Sequence, residues 1–80
     1  MDTREVIARR IRELCRQRGI TPNGLATTSA VPQATIKSIL NGESKNPGAV
    51  TIKMLCDGLG ITLGEFFSTP EFDALEQEIK

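Results

Sequence analysis

The sequence predicts an all-α fold of five helices followed by a short helical extension. Two observations carry this prediction. Apolar residues recur at helical spacing along the chain, and small polar residues, glycine or proline separate the apolar runs. A chain of 80 residues makes one small domain, near the size at which a single core is only just stable. We therefore expect nearly every apolar residue to be used in that core.

The first predicted helix runs to about Arg18, with Asp2 or Thr3 as its N-cap and Gly19 at its end. Its apolar residues fall on one side and its arginines mostly on the other. These arginines are Arg9, Arg10, Arg12, Arg16 and Arg18. They form either a nucleic-acid patch or the solvated outside of an amphipathic helix, and exposed arginine is the commoner case.

The stretch from Thr21 to Gly42 carries two apolar helical faces separated by a short bend. Thr21 is the expected cap of the second helix, which Pro22 opens, and Asn41-Gly42 is a stop signal for the third. The inward stripe of the third helix consists of Val31, Ile36, Ile39 and Leu40. This pattern is typical of a helix-turn-helix.

A polar loop, residues 43–48, precedes a fourth helix that runs from about Ala49 to Leu59 and stops at Gly60. Gly58 lies inside this helix, where it costs about 1 kcal/mol relative to alanine. Its presence there predicts a close contact with another helix.

Thr62 and Glu65 have the spacing of a capping box and predict a fifth helix. The apolar face expected to close the core from this helix is Leu63, Phe66 and Phe67. Thr69-Pro70 begins one more segment, an acidic strip with Phe72, Leu75 and Ile79 at i, i+3 and i+7. We thus divide the chain into a domain at residues 1–68 and an acidic helical tail at residues 69–80, which can dock on its own domain or on a second copy.

Charge is unevenly distributed along this formally neutral chain. Up to Lys53 there are nine basic and four acidic residues, and from Met54 onward there are one basic and six acidic residues. A basic face and an acidic tail can therefore coexist. No apolar span of about 20 residues and no signal peptide is present, so we expect a soluble, cytoplasmic protein with no membrane partner.

An enzyme is not indicated, because the chain lacks histidine, tyrosine, a glycine-rich phosphate loop and a nucleophile with a visible base. Cys15 and Cys56 lie among apolar neighbours, where cysteine usually acts as a small hydrophobic residue. Without histidine or a CxxC motif, a metal site is not expected. We predict no cofactor, and no small-molecule ligand is evident.

The sequence contains more of the residues needed to bind DNA than of those needed for catalysis, and they lie on the exposed side of the third helix. Glutamine pairs bidentately with adenine N6/N7, and alanine meets a thymine methyl in the major groove; Gln33 and Ala34 are of these two types. Ser38, one turn later, can donate to a base or a phosphate, and Lys37 either offsets phosphate charge or is simply solvated. The helix N-termini at Thr21 and Ala49 offer amides to phosphates.

In this order and spacing, the motifs resemble the Xre/Cro-type, lambda-repressor-like helix-turn-helix domain of bacterial and phage regulators over about Val6 to Phe67. The motifs that carry the resemblance are Leu25-Ala26, Val31, Thr35, Ile36, Ile39, Asn41-Gly42, Asn46-Pro47 and the run from Leu59 to Phe67.

The resemblance implies a compact five-helix bundle whose third helix, about Gln33 to Leu40, enters the major groove. It also implies dimers that bind palindromic operators in double-stranded DNA and repress transcription. Base contacts would come from Gln33, Ala34 and Ser38. Phosphate contacts would come from Thr21, Thr35, Asn41, Lys45 and Asn46, with the amides of Gly48 and Ala49.

Four positions depart from the family pattern. Many members have glycine where Ala30 stands, so Ala30 either bears roughly 1 kcal/mol of strain or the turn is altered. Pro32 replaces the usual serine or threonine cap of the third helix. Members often pair an arginine at the position of Cys15 with a glutamate at that of Leu40; here both residues are apolar, and we expect them to pack together.

An alternative function from another class is a protein-interaction module, such as an antitoxin or adaptor. It would keep the same fold and hold its partner with the acidic tail, Phe72 to Ile79. The neutral net charge and the few lysines near the third helix favour this alternative.

Overall fold

Six helices follow one another in residues 2–44 and 46–79, the part of the chain that this computed structural model describes. They are α1 Thr3–Arg18, α2 Pro22–Ser29, α3 Gln33–Leu40, α4 Ala49–Leu59, α5 Leu63–Phe67 and α6 Pro70–Asp73. The all-α prediction is confirmed, since these two ranges contain no strand. None of their helices has the length and apolar character needed to cross a membrane.

Side-chain caps begin three helices where the sequence predicts them. The Asp2 carboxylate accepts a hydrogen bond of 2.9 Å from an amide in the first turn of α1, and Thr21 Oγ1 accepts one of 3.0 Å in α2. At α5, Thr62 and Glu65 form the predicted capping box, each side chain accepting a 3.0 Å bond from the other's amide. Local side-chain chemistry therefore fixes these helix starts.

The core lies between the helices and is closed by Phe66 of α5, which has no exposed surface. The largest fully buried side chains are Phe66, Ile11, Leu25, Ile36, Leu55 and Cys56. Leu63 and Phe67 each remain 37% exposed, so the prediction that all three apolar residues of α5 close the core was wrong for these two. Both residues lie on the same side of α5 as Phe66, but at the edge of the core, where the Phe67 ring centroid is 4.9 Å from that of Phe66.

Both cysteines are free and buried, as predicted for small hydrophobic residues. Burial raises the pKa of both the Cys15 and the Cys56 thiol. Neutral thiols therefore predominate, which is unfavourable for nucleophilic chemistry. Leu40, which is half-buried, packs against the apolar cluster that contains Cys15.

The close helix contact predicted at Gly58 lies between α4 and α2. The α4 backbone at Gly58 meets Ser29, the last residue of α2. This contact fixes α2 against α4 at the end of α2 from which the chain turns into α3. The glycine thus positions the helix-turn-helix from outside it.

Three arginines of α1 bind backbone carbonyl groups at the C-terminal ends of other helices. Arg12 Nη2 donates to the last carbonyl of α3 at 3.0 Å, and Arg18 Nε donates to the last carbonyl of α4 at 3.0 Å. Arg10 donates to the carbonyls of Glu65 and Phe66 in α5, both at 2.8 Å. These carbonyls have no partner within their own helices, and the C-terminal end of a helix dipole favours a cation.

The C-terminal segment is helical only over Pro70–Asp73, and residues 74–79 are not in a helix. Carboxylates follow this helix with no basic residue among positions 74–79, and they oppose the negative end of a helix dipole. Phe72 packs on its own domain, with its ring centroid 4.9 Å from that of Phe67 and 6.0 Å from that of Phe66. Ile79 is 84% exposed, so the tail docks through its first apolar residue and not through its last.

Candidate nucleic-acid interface

The bend between α2 and α3 is held by the buried side chain of Ser29. Ser29 Oγ donates to the Leu25 carbonyl at 2.6 Å and accepts from the Val31 amide at 3.3 Å. Ala30 then turns the chain in the left-handed region, at φ 60° and ψ 21°. Of the two outcomes expected for Ala30, the strained backbone is therefore the one found, at a cost of about 1 kcal/mol.

The third helix begins at Gln33, directly after Pro32. Pro32 has φ −56° and ψ 142°, and no side chain caps the first turn. Instead, the Pro32 carbonyl accepts the amides of Thr35 and Ile36 at 3.0 and 3.2 Å. The start of α3 therefore presents backbone amides that no capping side chain covers, where a phosphate or a base edge can approach.

Four of the predicted site residues meet in one shallow depression on α3, and we call these four the reading strip: Gln33, Ala34, Lys37 and Asn41. All four side chains are exposed. The helix spacing places them on one side of α3, while Ile39 on the opposite side and Ile36 at the edge of the depression are buried in the core. The core thus fixes which side of α3 faces outward.

The other predicted site residues lie outside this depression. Thr35 and Ser38 are half-buried and do not line it. Thr21 is exposed and caps α2, and Asn46 is exposed beside the start of α4. Lys45 lies outside the residues that the structure describes.

Three residues that were not among the predicted site residues also line the depression: Arg12 from α1, and Pro22 and Asn23 from the first turn of α2. Arg12 is held there by its bond to the last carbonyl of α3. Its only signal in the sequence was membership of the arginine cluster. No acidic side chain of the described ranges lines the depression, which therefore has a positive character from Arg12 and Lys37.

A second, larger depression, the apolar groove, runs between the start of α1, the start of α4 and α5. Its volume is about 1190 Å³, and its apolar lining includes Ile7, Pro47, Ile52, Leu63 and Phe67. The tail borders it, since Glu78 lies at its edge and accepts a hydrogen bond of 2.7 Å from Thr3 Oγ1. Asn46 and Ala49 also line the groove, so it adjoins the start of α4.

No group of histidine, cysteine, aspartate or glutamate side chains in residues 2–44 and 46–79 could hold a metal ion. The arrangement instead consists of an exposed helix face, uncapped amides and positive charge. Such a surface suits recognition of a polyanion with readable base edges.

The α2–bend–α3 unit and its exposed reading strip define a helix-turn-helix DNA-binding domain. Comparison with known families agrees: residues 10–71 match the Cro/C1-type HTH DNA-binding domain, and the chain belongs to that family. The fold is also similar to the crystal structure of the prophage Lp1 protein 11, at a TM-score of 0.82 and 33% sequence identity over 94% of this chain and 100% of that chain. No match was found among curated proteins.

Proposed function

We propose that this protein is a sequence-specific transcriptional regulator of the cytoplasm, acting as a repressor, that inserts α3 into the DNA major groove. The observation that carries the proposal is the reading strip at the uncapped start of α3. Gln33 can pair bidentately with adenine N6/N7, and Ala34 can meet a thymine methyl. Ser38 is half-buried one turn further along and adds a hydroxyl at the edge of this contact.

In this proposal, phosphate contacts surround the reading strip. Their side chains are Thr21, Thr35, Lys37, Asn41, Lys45 and Asn46. The start of α4 adds the amides of Gly48 and Ala49, because no side chain caps this helix. Lys37 is exposed and lines the same depression as Gln33, and its charge would offset that of a phosphate bound there.

The test is a random-library DNA selection with the purified protein, followed by affinity measurements on the selected site and on unrelated DNA. Gln33→Ala is expected to weaken binding to the selected site by about 1–3 kcal/mol and to affect unrelated DNA much less. Gln17→Ala makes the same change at an exposed position of α1, outside the lining of the depression, and serves as the matched control. Equal losses on both DNAs would remove Gln33 as a base-reading residue.

Failure of the wild-type protein to enrich any DNA sequence would favour the interaction module instead. The exposed Ile79 is the observation that favours that alternative, whereas Phe72 is already packed on its own domain. Repression is tested separately, by placing the selected site within a promoter and measuring reporter expression with and without the protein. Higher expression with the protein present would identify an activator.

We further propose that the regulator binds as a homodimer, with a second copy covering the apolar groove. Leu63 and Phe67 line this groove, Val50 follows its lining residue Ala49, and all three are exposed. A dimer matches two half-sites of a palindromic operator. Phe67→Ser is expected to shift the protein toward monomer in analytical ultracentrifugation, with Gln17→Ala as the control. A wild-type protein that is monomeric both free and on DNA would contradict the dimer.

A further inference from the structure

The structure divides the arginines of α1 by what each guanidinium contacts. Arg10 and Arg18 turn toward their own bundle, where they bind backbone carbonyls of α5 and α4. Arg10 also pairs with Glu13 at 2.8 Å, and its side chain is only 14% exposed. Arg9 lies close enough to Glu71 to help hold the pKa of that carboxyl below its usual value, after larger contributions from the Glu71 amide and from the Thr69 side chain. These arginines act within the domain.

Arg12 and Arg16 are exposed, as are Arg9 and Arg18. Arg12 also binds a backbone carbonyl, that of Leu40. Arg12 lines the depression that holds the reading strip. Arg16 follows four residues later in α1, so both lie on the same side of this helix. No hydrogen bond or ion pair joins the Arg16 side chain to any other residue in ranges 2–44 and 46–79.

Positive charge therefore continues from the reading strip onto α1. Arg12 also lines a second cleft, distinct from the apolar groove, which it shares with Arg9 and Arg16. The Arg12 side chain therefore borders both this cleft and the depression that holds the reading strip. Two carboxylates line that second cleft, and each is already engaged: Glu13 with Arg10, and Glu71 with its own amide and the Thr69 side chain. The side of this cleft next to the reading strip thus keeps a net positive charge.

We infer that Arg12 and Arg16 bind phosphates of the DNA strand that runs beside α3, extending the interface beyond the helix-turn-helix; this inference rests on the proposed function. Arg12 donates through Nη2 to the last carbonyl of α3. A guanidinium has five N–H donors, so Arg12 can hold the end of α3 and a phosphate oxygen at the same time. Arg16, which is exposed and has no hydrogen-bond or ion-pair partner among the described residues, supplies the next phosphate contact along the strand.

The experiment measures the affinity of Arg16→Gln for the selected site and for unrelated DNA as a function of salt concentration. Losing one phosphate contact lowers the slope of log K against log salt by about 0.9, which amounts to roughly an eightfold loss at 0.1 M salt relative to 1 M. The loss is expected to be equal on both DNAs, because phosphates carry no sequence information. The double variant Arg12→Gln, Arg16→Gln is expected to lose about twice that slope.

Lys53→Gln is the matched control, because it removes the same charge from an exposed position on α4 that is paired with Asp57. Circular dichroism establishes that each variant is folded; if the double variant unfolds, Arg16→Gln alone decides. If the wild type binds DNA but Arg16→Gln and Lys53→Gln have the same slope of log K against log salt, this inference is overturned and the proposed function stays intact. A wild-type protein that enriches no DNA overturns both, and binding of an acidic peptide through Arg16 would then assign these arginines to a protein partner.

Discussion

Gly58 of α4 lies directly against the backbone of Ser29 at the end of α2. A Cβ atom built on Gly58 would stand 2.8 Å from Ser29 Cβ and 2.9 Å from Ser29 Cα and from the Ser29 amide nitrogen. Two of these three atoms belong to the backbone, so the neighbour cannot yield by rotating a side chain. Any larger residue at this position must push α2 away from α4.

Gly58→Ala is therefore expected to destabilise the domain by about 1–3 kcal/mol through overpacking, even though alanine is the better helix former by about 1 kcal/mol. Urea denaturation monitored by circular dichroism measures the change. Gly64→Ala in α5 is the control, because its Cβ would be 3.7 Å from Thr62 Oγ1, an ordinary contact. Equal stability of the Gly58→Ala and Gly64→Ala variants would show that the helices can separate without cost.

Ala30→Gly is expected to stabilise the protein by about 0.5–1 kcal/mol. The gain comes from relieving the left-handed backbone at φ 60°, and it is reduced by the greater freedom of glycine in the unfolded chain. The midpoint of urea denaturation reports it. Ala34→Gly, in the helical backbone of α3, is expected to change stability in the opposite direction by about 1 kcal/mol. A loss of stability in Ala30→Gly would mean that the turn is not strained.

Arg10→Lys is expected to cost about 2 kcal/mol of folding free energy. A lysine ammonium cannot reproduce the planar fork that joins two α5 carbonyls to Glu13. Arg16→Lys makes the same change at an exposed position with no bond to lose, and its stability should stay within about 0.5 kcal/mol of wild type. Similar denaturation midpoints for both variants would contradict a capping role for Arg10.

Cys15→Arg is expected to destabilise the domain by about 3 kcal/mol, because it places an unpaired charge in the core. Adding Leu40→Glu, which restores the ion pair common in the family, should recover at least about 1 kcal/mol. A double-mutant cycle in urea measures this coupling. If Cys15→Arg alone unfolds the domain, a cooperative transition in the double variant gives the same answer. Strictly additive losses would show that Cys15 and Leu40 do not pack together.

The Asp2 cap predicts a pH dependence of stability. The hydrogen bond from the Glu5 amide, aided by Arg4, lowers the pKa of the Asp2 carboxyl from its ordinary value of 3.8. Its contribution is fully present above pH 3.8 and is lost as pH falls through the lowered pKa. The measurement compares the melting temperatures of wild type and Asp2→Asn from about pH 6 downward. Their difference should stay constant until the pH falls through the lowered pKa of Asp2, where the melting temperature of the wild type should fall relative to that of the variant. Parallel curves throughout would contradict this role for Asp2.

Helix boundaries were the most predictable part of the fold, because their signals lie within a few residues of one another. Thr21 with Pro22, the Thr62 capping box, and the stops at Gly19 and Gly60 all appear as expected. The arginine caps could not be predicted in this way. Arg10 meets a carbonyl 56 residues away along the chain, and the sequence contains no local signal for such a pairing.

For the site, the sequence predicted that Gln33, Ala34, Lys37 and Ser38 face outward, because the buried stripe of α3 dictates its opposite face. The first three are exposed and line one depression together with Asn41. Ser38 sits at the border between the two faces, where small changes in helix rotation decide exposure, and it is half-buried. In the tail, the helix predicted from the spacing of Phe72, Leu75 and Ile79 includes only the first of these residues. Beyond Asp73, charge at the helix end opposed the pattern, so periodicity alone overestimated the helix.

The arginine bonds from α1 to the ends of α3, α4 and α5 tie the stability of these three helices to that of α1. If α1 detaches, Arg10, Arg12 and Arg18 withdraw their donors from all three ends at once. Helices α3, α4 and α5 then lose their caps in the same event in which they lose one wall of the core. Amide hydrogen exchange in this small domain should therefore report one global opening shared by α1, α3 and α4, not a graded series of separately opening helices.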